Sequence, residues 1–232
     1  MSTSLIPADS PLLDVAAAWR PLLAEGLAND LSGFAKEAWH VLHPSRQLTW
    51  SWHYDYLIEH LVLVKQRRLR RLIINVPPRT LKSTLITIIF PVWTWLTEPE
   101  HNFLMASYTL DLSSEHSLSR RALLQSQWFQ GFWGDRFQLS GDRNRVEQFR
   151  NNRGGQMITT SVGGTVMGRG CDTAIVDDPV SPAQALSDAE RTRANNWINS
   201  TLRTRLNNPA TGAIILVMQR LHQLDPTGFL LG

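Results

Sequence analysis

The stretch Leu72-Ile73-Ile74-Asn75-Val76-Pro77-Pro78-Arg79-Thr80-Leu81-Lys82-Ser83-Thr84 sets the tightest limit on what this chain can fold into. It reads as a buried strand, a forced turn, and a Lys-Ser pair opening a helix. Pro77-Pro78 enforces a sharp exit from the strand and offers no N–H donors of its own. The start of a helix collects anions, because unpaired N–H groups and the helix dipole both face outward there. In a phosphate-binding loop the lysine reaches the β/γ-phosphates and the hydroxyl residue holds Mg²⁺. That pattern nominates Lys82 and Ser83, with Pro78, Arg79, Thr80, Leu81 and Thr84 shaping the loop and Arg79 adding a second cation. Val76 and Leu81 stand where G-x-x-x-x-G-K-[ST] has its two glycines. Leucine does not readily adopt positive φ, so Leu81 is expected to hold the loop N–H groups off an anion. A bare Lys-Ser pair is also what an ordinary strand–loop–helix can carry. The functional reading gains weight from Thr173-Ala174-Ile175-Val176-Asp177-Asp178, an apolar run that ends in two carboxylates.

The remaining pattern alternates. Leu72–Val76, Asn102–Ser107, Thr173–Val176 and Ala213–Met218 read as buried strands. Lys82–Leu96, Leu110–Gln125 and Asp188–Leu206 read as helices, the last capped by Ser187. Val146–Phe149 and Gln156–Thr160 form a predicted hairpin across Asn151-Asn152-Arg153-Gly154-Gly155. Such alternation predicts an α/β fold, a mostly parallel central sheet with helices on both faces. Its ligands bind beyond the carboxyl ends of the strands. Upstream, Leu12–Leu23 and Leu27–Leu42 read as helices, the first broken or kinked at Pro21 and the second capped by Asp30 or Ser32. Trp52–Lys65 reads as a third. Residues 1–46 are thus an N-terminal helical segment and 47–232 the main domain.

Bulk properties exclude little. Lys and Arg exceed Asp and Glu by three, which by itself does not mark a nucleic-acid binder. The single cysteine, Cys171, rules out a disulfide within the chain and a cysteine zinc site. No apolar run reaches the roughly 20 residues of a membrane span, and no signal peptide is expected.

Pro77-Pro78-Arg79-Thr80-Leu81-Lys82-Ser83 and Ile175-Val176-Asp177-Asp178-Pro179 together resemble the ATPase domain of the large terminase subunit of tailed phages. That family has a glycine-poor Pro-Pro-Arg-x-x-Lys-Ser loop, with Gly in many members where Leu81 stands. The resemblance implies a P-loop NTPase of the additional-strand class that takes ATP and Mg²⁺. It implies that Lys82 contacts the β/γ-phosphates, that Ser83 and Asp177 hold the metal, and that Arg79 senses or stabilises the γ-phosphate. Asp178 takes the place of the family's usual Glu, orienting or deprotonating the attacking water. Asp is one methylene shorter, so that water must sit closer or the strand end must shift.

Ile214–His222 ends a strand in polar groups where the family carries a coupling motif. Gln219 is the implied sensor, with Arg220 and His222 beside it, and Asp225-Pro226-Thr227-Gly228 also fits the pattern. A polar strand end running into a turn explains the same residues equally well. The glycine-rich Ser161–Gly170 carries Arg169, a candidate arginine finger acting in cis or on a neighbouring subunit, with Arg143, Arg145 and Arg150 as competitors. Around the start of Trp52–Lys65, Trp50, Trp52 and His53 offer flat side chains to adenine and Gln47 a group to read its edge; core packing is the competing role for the tryptophans. Lys65–Arg71 is the densest basic run, and a solvated helix end fits it better than DNA contact. Arg191, Arg193, Arg203 and Arg205 can face DNA or a subunit.

The family implies double-stranded DNA, a portal protein and a small terminase subunit as partners. It also implies a homo-oligomeric ring and a place in the bacterial host cytoplasm, docked transiently on the procapsid and free of membrane. The resemblance runs from about residue 47 to the end. After Glu190 only Asp225 carries a carboxylate, so the family's nuclease domain is expected to be absent. Two other readings are a non-catalytic terminase fragment serving assembly and another DNA-dependent motor such as a helicase.

Overall fold

The computed structural model describes residues 11–141, 145–166 and 168–232, the side chains of 11–17 excepted. Its centre is one sheet of β1 (Arg71–Asn75), β2 (Phe103–Ser107), β3 (Gln148–Arg150), β4 (Gln156–Ser161), β5 (Thr173–Asp177) and β6 (Ala213–Met218). Their spatial order is β1-β6-β5-β2-β4-β3. Every pair is parallel except the β3–β4 hairpin. The chain is therefore an α/β protein with a mostly parallel six-stranded sheet flanked by helices.

Strands β5 and β6 are buried along their whole length, β6 apolar throughout and β5 apolar between Thr173 and Asp177, because both faces are covered. Ile175, Ile215 and Val217 face one core. Ala174, Val176, Ile214, Leu216 and Met218 face the other, following the two-residue period of a strand. The first core packs against α1 (Pro11–Asn29), α2 (Leu31–Leu42), α3 (Trp52–Lys65), α4 (Phe90–Thr97), α5 (Leu110–Gln125) and α6 (Gln127–Trp133). The second packs against α7 (Pro182–Ala185), α8 (Asp188–Asn196) and the π-wound Trp197–Leu202 that continues α8. A last helix, α9, spans Pro226–Leu231. No helix among the described residues is long and apolar enough to cross a membrane.

Two expectations change. The first helix does not break at Pro21. It runs through that exposed residue to Asn29, and the break falls at Asp30, whose carboxylate caps α2 by accepting Ser32 N–H at 2.9 Å. Strand β1 is an edge strand, so only Ile74 of its five residues is buried. The N-terminal helices share the main core: Trp93 and Trp133 donate their indole N–H groups to Leu27 O and Ala24 O, each at 3.1 Å.

The helix after the loop starts as a π-wound segment, Ser83–Ile89, and runs straight into α4. Pro91 lies at the join. The guanidinium of Arg120 on α5 donates to Thr87 O at 2.8 Å and to Thr159 Oγ1 at 2.9 Å. Arg120 is fully buried, so this pair of bonds fixes α5 against the start of the loop helix.

Candidate active site

β1 and β5 end at the same edge of the sheet, with β6 between them. Val76 N–H bonds Met218 O at 3.2 Å and completes the ladder. The chain then turns through Pro77-Pro78, held by a 2.7 Å bond from Thr80 Oγ1 to Pro77 O. Arg79 and Leu81 adopt φ of 64° and 56°. Lys82 is helical, and Leu85 N–H to Leu81 O at 2.8 Å closes the first turn.

The turn swings Lys82 onto the acid pair. Its ammonium lies 3.7 Å from Asp177 Oδ1 and forms a closer ion pair with Asp178 Oδ1. Neither contact has hydrogen-bond alignment, and Nζ remains a buried atom with no partner. Asp177 is 1% exposed and accepts from Thr87 Oγ1 at 2.8 Å. Burial pushes its carboxyl above the usual range, opposed by Lys82 and by the hydroxyls of Ser83 and Thr87. Asp178 differs in kind: its side chain is 28% exposed and its backbone sits at φ 47°. Two bonds hold that turn, from Asp178 N–H to Val217 O at 2.8 Å and from Tyr108 N–H to Asp178 O at 3.0 Å. One carboxylate thus faces inward beside hydroxyls, and the next faces solvent beside a cation.

His116 on α5 also reaches the cluster, with Nδ1 at 3.9 Å from Asp177 Oδ2. Burial and then the Arg120 charge hold its imidazole well below the ordinary value, at about 4. Lys82 Nζ, Asp177 Oδ1 and His116 Nδ1 are all buried without hydrogen-bond partners. For His116 Nδ1 such a loss costs about 1–3 kcal/mol, whereas Lys82 Nζ and Asp177 Oδ1 keep their ion pairing. The donor set fits a hard cation with a phosphate: Ser83 and Asp177 offer oxygens and Lys82 a positive charge. Among the described residues no three His, Cys, Asp or Glu side chains form a metal cage by themselves. A cation here would need phosphate or water to complete its ligands, as Mg²⁺ sites usually do.

The other candidates scatter around this centre. Arg79 is exposed on the loop. Gln219 follows β6 directly and is half-buried between the loop strand and the acid strand. Arg220 and His222 are used structurally. Arg220 Nε bonds the fully buried Asp225 at 3.1 Å, and His222 Nδ1 accepts Leu224 N–H at 3.0 Å. Asp225 also accepts Leu221, His222 and Gly228 N–H groups, so it organises the whole segment.

Arg169 is not brought to the acid pair. It is exposed just before Cys171, at the amino end of β5, about 16 Å of strand from Asp178. Arg143 and Met167 lie outside the described residues. In the glycine-rich segment, Gly163 (φ 81°) lies under the Arg193 guanidinium, where a Cβ would come within 2.8 Å of Nη2. Gln47 is exposed beside an apolar cleft lined by Leu48, Trp50, Tyr54, Leu81 and Leu85. Trp52 is 78% exposed, whereas Trp50 bonds Asp55 Oδ1 at 2.9 Å. Lys65 and Arg67 pair with Glu98, and Arg70 and Arg71 bond Ala210 O and Gly212 O. Most of the basic run is therefore engaged by its own chain. Arg191 is buried and bonds Ala185 O.

The expectation that Leu81 obstructs the loop needs correction. It holds the positive φ that a glycine would supply, and its side chain lines the cleft with Trp50 and Tyr54. Leu81→Gly relieves about 1–2 kcal/mol of left-handed strain. Against this stand lost burial of about 1–2 kcal/mol and a looser unfolded chain, about 0.4–1 kcal/mol. The variant is expected to melt a few degrees lower, about 2–4 °C per kcal/mol for this size, with no gain in nucleotide affinity. Tighter nucleotide binding at an unchanged melting temperature would show that strain dominates.

The sequence matches no known protein-family profile and no curated protein. Among solved structures, it is similar to that of the large terminase from a thermophilic bacteriophage in complex with ADP. The TM-score is 0.35 and the identity 12%, over 68% of this chain and 37% of that one. At that level the likeness assigns neither residue nor activity.

Proposed function

We propose that this chain is a Mg²⁺-dependent ATPase of the additional-strand P-loop class, the ATPase part of a phage large terminase that drives double-stranded DNA into a procapsid. One observation carries the reading. Lys82, at the helix start after β1, meets Asp177 and Asp178 at the tip of β5, with one strand intervening. Ser83 and Asp177 would hold Mg²⁺, which would supply positive charge against the phosphates. Lys82, Arg79 and the N–H groups of residues 79–84 take the β/γ-phosphates. Solvent-facing Asp178 orients the attacking water and accepts its proton. Gln219, at the tip of the strand between loop and acids, passes on the loss of the γ-phosphate, while Asp225, Arg220 and His222 brace its segment. Arg169 can act only on a neighbouring copy in a ring. Portal protein and small terminase subunit are the proposed partners, in the bacterial cytoplasm at the procapsid.

Steady-state ATP hydrolysis, with and without double-stranded DNA, tests this. Mg²⁺-dependent turnover that DNA stimulates is the expected result. Failure to bind or hydrolyse ATP would overturn the ATPase reading and leave an assembly module. Turnover indifferent to DNA would remove the motor.

A further inference from the structure

The sequence pattern does not point to His116, yet the fold delivers it to the acid pair by a chain of specific contacts. Arg120 on α5 donates to Thr87 O at 2.8 Å. Thr87 in turn gives its hydroxyl to Asp177 Oδ2 at 2.8 Å. His116 lies one turn before Arg120 on α5, so one residue of the loop helix registers imidazole and carboxylate against each other. The separation of 3.9 Å between His116 Nδ1 and Asp177 Oδ2 is too long for a hydrogen bond. It suits two groups bridged by one water. His116 Nδ1 is buried and has no hydrogen-bond partner of its own, and the ring nitrogen of an imidazole that carries no proton accepts a hydrogen bond from water.

We propose that His116 is a positioning residue for the hydrated cation: its Nδ1 accepts a hydrogen bond from a water in the shell of the divalent ion held by Asp177 and Ser83. Mg²⁺ gives up water reluctantly, so its site needs acceptors for the retained waters as well as direct ligands. Outer-shell partners of this kind are worth about 10–100-fold in metal affinity. The inference rests on the ATPase reading above.

The test is ADP binding by the full chain, titrated calorimetrically without divalent ion and across a series of Mg²⁺ concentrations. His116→Leu is expected to keep the metal-free ADP affinity and to need about 10-fold more Mg²⁺ for half its effect. His116→Asn, whose amide reaches the position of Nδ1, is expected to restore a requirement near wild type. His116→Gln reaches the Nε2 position instead and is expected to behave as His116→Leu does. It carries the test if the leucine variant does not fold. A wild-type Mg²⁺ requirement in His116→Leu or His116→Gln would overturn the proposal. So would equal loss of metal-free and Mg²⁺-dependent binding with a lower melting temperature, which marks a packing role. Wild-type protein whose ADP binding ignores Mg²⁺ would overturn the ATPase reading along with it.

Discussion

Lys82→Ala is expected to lower ATP turnover at least ~100-fold, the usual scale for losing one preorganised charge contact to a reacting group. A residual rate above about a tenth of wild type would mean that less than about 1.4 kcal/mol had been lost, and the phosphate loop would lie elsewhere. The nucleotide-free protein should also register the change. Lys82 is buried and is the cation against both carboxylates of the pair. Removing one partner from a buried pair costs on the order of 3–5 kcal/mol, less here because Asp178 is partly exposed. The remaining Asp177 already has its carboxyl raised by burial, and it loses the cation that opposed the rise. A carboxyl whose folded value is raised stabilises below its unfolded value, and that contribution is lost as pH rises through the folded value. Metal-free Lys82→Ala should therefore fall further below wild type as pH rises from acid toward neutral. A stability deficit that grows toward acid would contradict the burial argument for Asp177.

The parts of this molecule readable in the sequence are those whose causes are local. Helices α3 and α5 begin and end where expected, because the apolar period and flanking residues such as Thr109 define them. The apolar runs of β5 and β6 announce strands covered on both faces, and Lys82, Ser83, Asp177 and Asp178 follow from short motifs at the ends of elements. Strand order is not local, so the edge position and half-exposed state of β1 are invisible along the chain. Nor does the sequence show that Leu81 can hold a positive φ, which depends on a cleft built by two other helices. His116, Thr87 and Arg120 stand at ordinary helix positions, and only the packing of α5 on the loop helix joins them to Asp177. Arg220 and His222 gain their structural role from Asp225, a residue readable as part of a turn but not as its organiser.

Asp178→Asn is expected to separate binding from hydrolysis. In the nucleotide-free protein Asp178 pairs with the same ammonium that a phosphate would claim. Its replacement by a neutral isostere frees Lys82, so ATP binding should be unchanged or tighter. The gain is bounded at about fivefold, since a partly exposed ion pair is worth about 0–1 kcal/mol. Turnover should fall by about 10²–10⁴, the range for a lost general base. Asp177→Asn should do the reverse. Asp177 is buried against Thr87 and Ser83 and does not face solvent, so its loss should raise the Mg²⁺ requirement at least ~10-fold, because even outer-shell groups are worth that much. Nucleotide affinity without metal should change little. Metal-free stability of Asp177→Asn should also lose part of its fall with rising pH, since the carboxyl that burial disfavours has been removed. Parallel measurement of ATP affinity, Mg²⁺ requirement and single-turnover rate in the two variants decides the matter. Equal losses of nucleotide binding in both would mean that the inward and outward carboxylates share one task, and that the difference in their burial does not divide the chemistry.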